Sequence, residues 1–553
     1  MSGLGRSGAL AFAAVAALSA WLALRDLDVP GLYYDEAIQA VPAAEFLREH
    51  GHPLQIPGAM NVWLGGGWFP VLTQPYMGAL KSQLLIPIFA SFGASVVVLR
   101  ATTFVCGLVG CFFAMLFAAR LLGAPVALAM VALLALDPSF LFVSRHDWGS
   151  FSLGLVCRCA GLWLAAVGLS RRAPGWLAAA GLAFGLGLYN KIDLAPMLAA
   201  TAIALALCQP RAVVRALRER SGELAAFAAG LAAGAAPLLA AGLRGAAAVG
   251  SVAGELRLAT DLPEKLATWR AMLDGSYFHR LMLAGGSFEA LPGVQGAASG
   301  VFGPALGASV LVLAGCLVVR RPWQARERAQ AFALASLGLG VAGLLLLPRA
   351  VRIHHVLNLT PFPQLVVAAA AVELWRAGAQ QPGALAGVAL RGIAATGLAA
   401  LLAGHVWVDL RTLAEIRASG GRGRWSDALV RFAPELAADP TAAVVSLDWG
   451  FAAPLRFVAP GLELREPFWQ LLGPARAAMQ LEGAPRTVYL VALPRFRVFD
   501  LGQQLLAAVA RLPEGAASVR THADRAGDPA FLSIHVAPPH RLVYRERLEV
   551  ELE

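Results

Sequence analysis

The chain has 553 residues, 58% of them hydrophobic and only 14% charged, with a mean hydropathy of +0.63. An ordinary soluble protein carries about a quarter charged residues, so this composition excludes a soluble globular enzyme and points to a polytopic membrane protein embedded in a lipid bilayer. The net charge of +10 implies no nucleic acid partner, because Lys and Arg recur in short clusters between apolar runs, where the positive-inside rule puts them.

Apolar runs that cross a ~30 Å hydrocarbon core, or nearly so, fall at about 8–24, 96–118, 123–143, 150–170, 175–189, 194–209, 223–243, 300–319, 330–347, 356–374 and 384–406. Eleven transmembrane helices are predicted. The first run follows Arg6 in the manner of a signal peptide, but its length favours an uncleaved helix. Arg120, Arg171 and Arg172, Arg211 to Arg220, Arg320 to Arg328, and Arg376 fall on alternate connections, which makes that side cytoplasmic. An odd number of crossings then gives a cytoplasmic N-terminus and an extracytoplasmic C-terminal portion. Arg100 and Arg244 sit at outer helix ends, against the rule. The six cysteines lie within apolar runs and read as small packing residues, with neither disulfide nor zinc spacing.

The outer connections hold the concentrated polar chemistry. The first, 26–95, carries Leu32-Tyr33-Tyr34-Asp35-Glu36-Ala37, two adjacent carboxylates at the exit of an apolar run. A carboxylate at bilayer centre costs about 3 kcal/mol, so the pair belongs at the interface or in a polar cavity. Residues 37–50 have helical spacing, with Ile38, Val41, Phe46 and Leu47 as a face lying along the membrane. Lys81, further along, is placed to reach a phosphate or to snorkel. The second connection reads Ser144-Arg145-His146-Asp147-Trp148-Gly149: a cation, an imidazole, a carboxylate and an indole in one short turn. An interfacial anchor with Arg145 paired to Asp147 is the plainer reading of it. A third turn holds Asn190, Lys191 and Asp193. At the outer end of the ninth run, Arg349, Arg352, His354 and His355 gather positive charge suited to an anion.

From 408 onward the composition is that of a small soluble α/β domain, with strands predicted at 443–447, 487–492 and 531–536 and helices at 426–437 and 501–512. Asp448, Trp449 and Gly450 follow the first strand, where α/β folds place ligand contacts or a simple turn. The domains are therefore expected at 1–407, membrane-embedded and holding the concentrated polar chemistry, and 408–553, extracytoplasmic and separable. The chain contains no P-loop, dinucleotide fingerprint or HExxH motif, which argues against an ATP-driven pump.

The motifs Tyr34-Asp35-Glu36 and Arg145-His146-Asp147-Trp148, within a multi-spanning bundle followed by an outer soluble domain, resemble the membrane-embedded GT-C glycosyltransferases of the protein mannosyltransferase and aminoarabinose transferase type, family 39-like. The resemblance implies a mostly α GT-C-like bundle that transfers a hexosyl or pentosyl group from a polyprenyl-phosphate donor to a lipid, glycan or protein acceptor outside a bacterial inner membrane. By motif position Asp35 would be the catalytic carboxylate, Glu36 its supporting neighbour and Asp147 a second carboxylate. Lys81, with Arg145 and Arg352, would contact the donor phosphate, and Tyr34, His146, Lys191, Asp193, His354 and His355 would complete the site. The resemblance leaves open a divalent metal held by Asp35 and Asp147. Two other classes fit a polytopic chain: a transporter or lipid flippase, which needs ionisable residues near the bilayer midplane, and a non-catalytic envelope assembly protein, which would tolerate loss of Asp35.

Overall fold

The computed structural model describes residues 5–53, 56, 58–148, 150–243, 262–286, 291–346, 352–381, 384–439, 442–468, 479–480, 486–537, 540–544 and 548–552. Gly149, Arg244 and Arg349 lie outside the described residues. Helix α1 (Gly5–Ala23) leads into a connection holding α2 (Tyr34–Phe46), an antiparallel sheet of β1 (Met60–Leu64), β2 (Gly67–Gln74) and β3 (Met77–Gly78), and α3 (Leu80–Phe92). The bundle continues with α4 (Val96–Leu122), α5 (Ala124–Ala135), α6 (Pro138–His146), α7 (Phe151–Arg171), α8 (Pro174–Asn190), α9 (Ala195–Cys208), α10 (Pro210–Glu219) and α11 (Ser221–Leu243). It closes with α12 (Leu262–Leu273), α13 (Tyr277–Ala284), α14 (Phe302–Val319), α15 (Ala325–Leu346), the short α16 (Ile353–Val356), α17 (Phe362–Ala379) and α18 (Leu385–Ser419).

Among the described residues seven helices are long and apolar enough to cross a membrane: α1, α4, α7, α11, α14, α15 and α18. Counting each of three bent pairs as one span gives ten. The remaining expected crossing, at 175–189, is α8, whose 17 residues extend about 25 Å at 1.5 Å per residue. It packs directly on α11 because glycines let the backbones touch: a Cβ on Gly181 would lie 2.0 Å from the Phe227 carbonyl oxygen, and one on Gly230 2.0 Å from that of Ala178. The run at 123–143, expected as one straight crossing, bends by 60° between α5 and α6. Asp137 caps the second piece, accepting from the Ser139 and Phe140 amides at 2.8 and 3.3 Å, and Pro138 takes its first position.

Helix α2 corrects the expectation of a surface-lying helix. It is buried on nearly every side, and Ile38 and Val41 join a core with Leu85 and Phe89 of α3 and with Ala453 and Phe457 from the C-terminal region. A helix covered both by the bundle and by the soluble part has no face left for lipid. The boundary expected at 407/408 falls inside α18, whose 35 residues reach about 52 Å, well past a ~30 Å core. That helix ends at Gly420, in the left-handed region at φ 67°.

Beyond it lie α19 (Ala428–Ala437), β4 (Ala442–Ser446), α20 (Ala452–Val458), β5 (Glu463–Arg465), β6 (Met479–Gln480), β7 (Arg486–Ala492), α21 (Leu501–Val509), β8 (Ala517–Ala523), β9 (Pro529–Val536), β10 (His540–Tyr544) and β11 (Leu548–Leu552). One sheet has the order β5-β4-β7-β9-β8, parallel across the first three and antiparallel thereafter. The predicted strands are β4, β7 and β9, its centre, whose Val444, Val445, Leu490, Val491 and Ile534 are buried between layers. Strands β11, β10 and β6 form a second sheet.

Candidate active site

The approach to Asp35 is held from below by its neighbour. Glu36, in the first turn of α2, accepts from the Tyr33 amide at 3.2 Å and is forked by Arg100, Nε to Oε2 at 2.8 Å and Nη2 to Oε1 at 2.9 Å. Arg100 is wholly buried and also donates to the carbonyls of Leu27 and Pro30 at 2.8 Å and of Gly31 at 3.1 Å. The arginine that broke the charge rule is thus the template on which the 27–36 loop is wound. Removing one partner of such a pair strands a buried charge, at about 3–5 kcal/mol. Arg100→Leu is therefore expected to lower sharply the thermal stability and yield of the purified protein, and Arg100→Lys to restore part of it; wild-type stability in Arg100→Leu would contradict this reading.

Asp35 itself faces inward. One carboxylate oxygen accepts a hydrogen bond from the Trp148 indole. Burial raises its pKa above the ordinary carboxylate value, while Lys191, the Trp148 bond, Arg352 and Lys81 pull it back down. Three cations from three separate connections thus share its field. Tyr33 and Tyr277 line the same space, and burial keeps both phenols protonated, raising that of Tyr277 to about 12.

Asp147 is locked behind this point. Its Oδ2 lies 2.7 Å from Lys81 Nζ, its Oδ1 accepts from the Ser152 amide at 3.0 Å, and its backbone is left-handed at φ 42°. Left-handed residues other than glycine are costly and persist where surroundings over-determine them; Ser150 repeats the conformation at φ 57°. Lys81 and Asp147 are both buried, so the lysine expected at a phosphate is held first by a carboxylate. Arg145 lies behind the site, its guanidinium buried and donating to the carbonyls of Asp26 and Val29; it braces the first loop and does not pair with Asp147. His146 is buried among Phe142, Phe278 and Trp425.

On the other flank Lys191 pairs with Asp193 at 3.1 Å, and the two border a narrow cleft together with Ser150, Asn190, His354 and Asn358. His354 lies 5.6 Å from the Trp148 ring and 4.1 Å from His355, ring centre to ring centre. The His355 Nδ1 accepts from the Arg352 amide at 3.3 Å, fixing the turn that presents Arg352.

The C-terminal region contributes an aromatic wall that the sequence did not announce. Trp425 stacks on Tyr33 with ring centres 4.1 Å apart and planes 7° from parallel, and Trp449 lies 5.6 Å from Tyr33 and 4.4 Å from Tyr34. The Gly31 amide donates to the Trp425 carbonyl at 2.8 Å. A Cβ at Gly31 would sit 2.1 Å from the Ser426 oxygen, so only glycine fits this approach. Arg424 lies over the Trp449 ring, and Asp448 ties its own turn to a distant segment, accepting from the Trp449 and Val498 amides at 2.7 and 3.0 Å. Burial there pushes the Asp448 carboxyl up to about 6, against the pull of Arg424 and the backbone amides. The signal in sequence was the aromatic flanking of Asp35 and Asp448, without any means of knowing that the two stretches meet.

A divalent ion bridging Asp35 and Asp147 does not fit these donors. The Lys81 ammonium already occupies the cation position on Asp147, and the indole takes an oxygen of Asp35. Among the described residues no group of three or more His, Cys, Asp or Glu is arranged to hold a metal.

A membrane helix bundle with an acidic first connection, a second carboxylate turn and a terminal α/β unit over both is the architecture of the GT-C glycosyltransferases, and the chain has that fold. Residues 73–240 match the family described as Dolichyl-phosphate-mannose-protein mannosyltransferase, a segment that includes Lys81, Asp147 and Lys191. The chain is structurally similar to ArnT from Cupriavidus metallidurans bound to undecaprenyl phosphate, at 14% identity and a TM-score of 0.56, over 97% of this chain and 99% of that one. The apo state of the same protein is matched at 14% identity and a TM-score of 0.51, over 95% and 97% of the two chains. A search of curated proteins by sequence finds no match.

Proposed function

We propose that the protein is a glycosyltransferase that moves a sugar from a polyprenyl-phosphate-linked donor to an acceptor on the outer face of a bacterial inner membrane. The observation that carries this reading is the carboxylate of Asp35, held by an indole and surrounded by Lys191, Arg352 and Lys81. Such a site suits a reaction in which a hydroxyl or amine loses a proton while a phosphate departs. The matched family and the polyprenyl phosphate bound by the similar ArnT structure support a lipid-phosphate donor.

In this mechanism the free oxygen of Asp35 takes the acceptor's proton as its nucleophile attacks the anomeric carbon opposite the phosphate. The bond from that carbon to the phosphate oxygen breaks, and its electron pair leaves on polyprenyl phosphate, giving inversion. Lys191 and Arg352 stabilise the charge that develops there. Lys81, tied to Asp147, keeps the second connection in register and adds its field to the same region. A phosphate ester leaves readily, so no strong general acid is required.

The test is transfer of labelled sugar by purified, reconstituted protein from a polyprenyl-phosphate donor, first to water as surrogate acceptor. No donor cleavage with any of a panel of hexosyl and pentosyl donors would count against the reading. The proposed orientation has its own check. A reporter active only outside the cytoplasm is expected to work when fused beyond residue 410 and to fail near Arg215 or Arg326; the reverse pattern would put the site on the wrong side.

A further inference from the structure

Helix α10 is unlike any other part of the bundle. It follows the 17 residues of Ile192–Cys208 at a bend of 103°, none of its ten residues is buried, and α11 starts immediately after it. At 100° per residue, Arg211, Arg215 and Arg218 fall within an arc of about 60°, and Val213, Ala216 and Leu217 lie opposite. Leu217 is 63% exposed. Among the described residues those three arginines make no hydrogen bond or ion pair. The next one, Arg220, behaves differently: it donates to the Leu169 carbonyl at 3.3 Å and pairs with Glu223.

We propose that α10 lies in the membrane plane at the end of the spans and binds the headgroups of anionic phospholipid through Arg211, Arg215 and Arg218, while Val213, Ala216 and Leu217 enter the acyl boundary. The geometry favours lipid over a protein partner. If the preceding helix crosses the bilayer, a bend near a right angle lays α10 along its surface, and α11 returns from that same level. The apolar stripe then faces the hydrocarbon it fits, and the unpaired guanidinium groups face the phosphate layer. The exposed Arg171 and Arg172 end the helix whose Leu169 carbonyl Arg220 touches, and Arg120, from the end of α4, bonds to Ser170 of that same helix, extending the basic belt beside it.

The experiment places the full-length protein in nanodiscs of phosphatidylcholine alone or mixed with phosphatidylglycerol and follows hydrogen exchange of residues 209–220. Exchange is expected to be on the order of tenfold slower with the anionic lipid, and the difference to shrink at about 1 M salt, where the Debye length falls to about 3 Å. The triple variant Arg211→Gln, Arg215→Gln, Arg218→Gln should lose the lipid dependence and weaken retention of phosphatidylglycerol on the order of a hundredfold. Equal exchange of the wild-type chain in both membranes would overturn the proposal without recourse to any variant. So would an anionic-lipid effect that survives the triple substitution, or protection that arises only on adding a cytosolic protein fraction. None of these readouts depends on sugar transfer, so this inference stands or falls separately from the proposed activity.

Discussion

Asp35→Asn is expected to lower sugar transfer by about 10²- to 10⁴-fold, or roughly 3–5 kcal/mol of barrier, with little effect on insertion or donor binding. The substitution keeps size and hydrogen-bonding capacity, so the Trp148 indole retains an acceptor and no cavity opens. What is lost is the charge and the ability to take a proton. Wild-type activity should fall on the acid side as Asp35 protonates. Burial raises its pKa, so that limb should lie at higher pH than for an exposed aspartate. The linkage runs in a definite direction. A folded-state pKa above the unfolded one means that protonation stabilises the native chain and that this contribution fades as pH rises through the folded-state value. Asp35→Asn should therefore melt at the wild-type temperature or above it. Because Lys81 fills the cation position at Asp147, a chelator should leave turnover unchanged. The measurements are transfer of labelled sugar against pH, with and without chelator, and thermal melting of the same preparations. Near wild-type turnover in Asp35→Asn would leave the carboxylate a purely structural group at the start of α2, and strong inhibition by chelator would reinstate a metal.

Removing the aromatic wall should have the next largest effect. Trp449→Ala is expected to lower kcat by about 10²-fold with a small change in donor KM, because a displacement of about 1 Å in a reacting group is enough for that loss. Trp449 packs on the two tyrosines that precede Asp35, and Trp425 stacks on the first of them. Trp449→Phe should recover most of the activity. A chain cut after Ser419 should insert yet be inactive even for donor cleavage, since α2 loses the cover of Ala453 and Phe457 as well as both indoles. Donor cleavage by the cut chain at the full rate would support a division of labour in which the terminal unit serves only the acceptor. A KM effect without a kcat effect in Trp449→Ala would assign that residue to substrate binding alone.

Much of this was legible in the sequence where local chemistry dictates structure. The central strands β4, β7 and β9 are short β-branched runs between turn residues, and the five-stranded sheet has them at its buried centre. The dipeptide Asp35-Glu36 at the exit of an apolar run stood out because carboxylates there need partners, which Glu36 has in Arg100 and Asp35 in the Trp148 indole. The bend at Asp137-Pro138 was written as a helix cap, yet the unbroken apolar count concealed it. The hairpin of β1 and β2 was missed although Trp63-Leu64 and Trp68 flank three consecutive glycines, since the signal is brief and lies inside a long connection. Contacts between distant stretches were out of reach altogether. Nothing local ties Arg100 to Glu36, Lys81 to Asp147 or Trp449 to Tyr34; each pairing follows from how the helices pack.

The clamp between the first connection and the end of α18 also sets a timetable for synthesis. Asp26 and Arg417, which bond to each other beside the clamp, are 391 positions apart. At 5–20 residues per second the ribosome needs roughly 20–80 seconds to travel between them, and the segment holding Asp35 waits through that interval without its C-terminal aromatic cover. The nascent chain therefore carries its acidic residues into the membrane long before they can be assembled into a working site. On the proposed function, a chain arrested before the end of α18 is expected to show no cleavage of a lipid-linked sugar donor, the same outcome expected of the chain cut after Ser419.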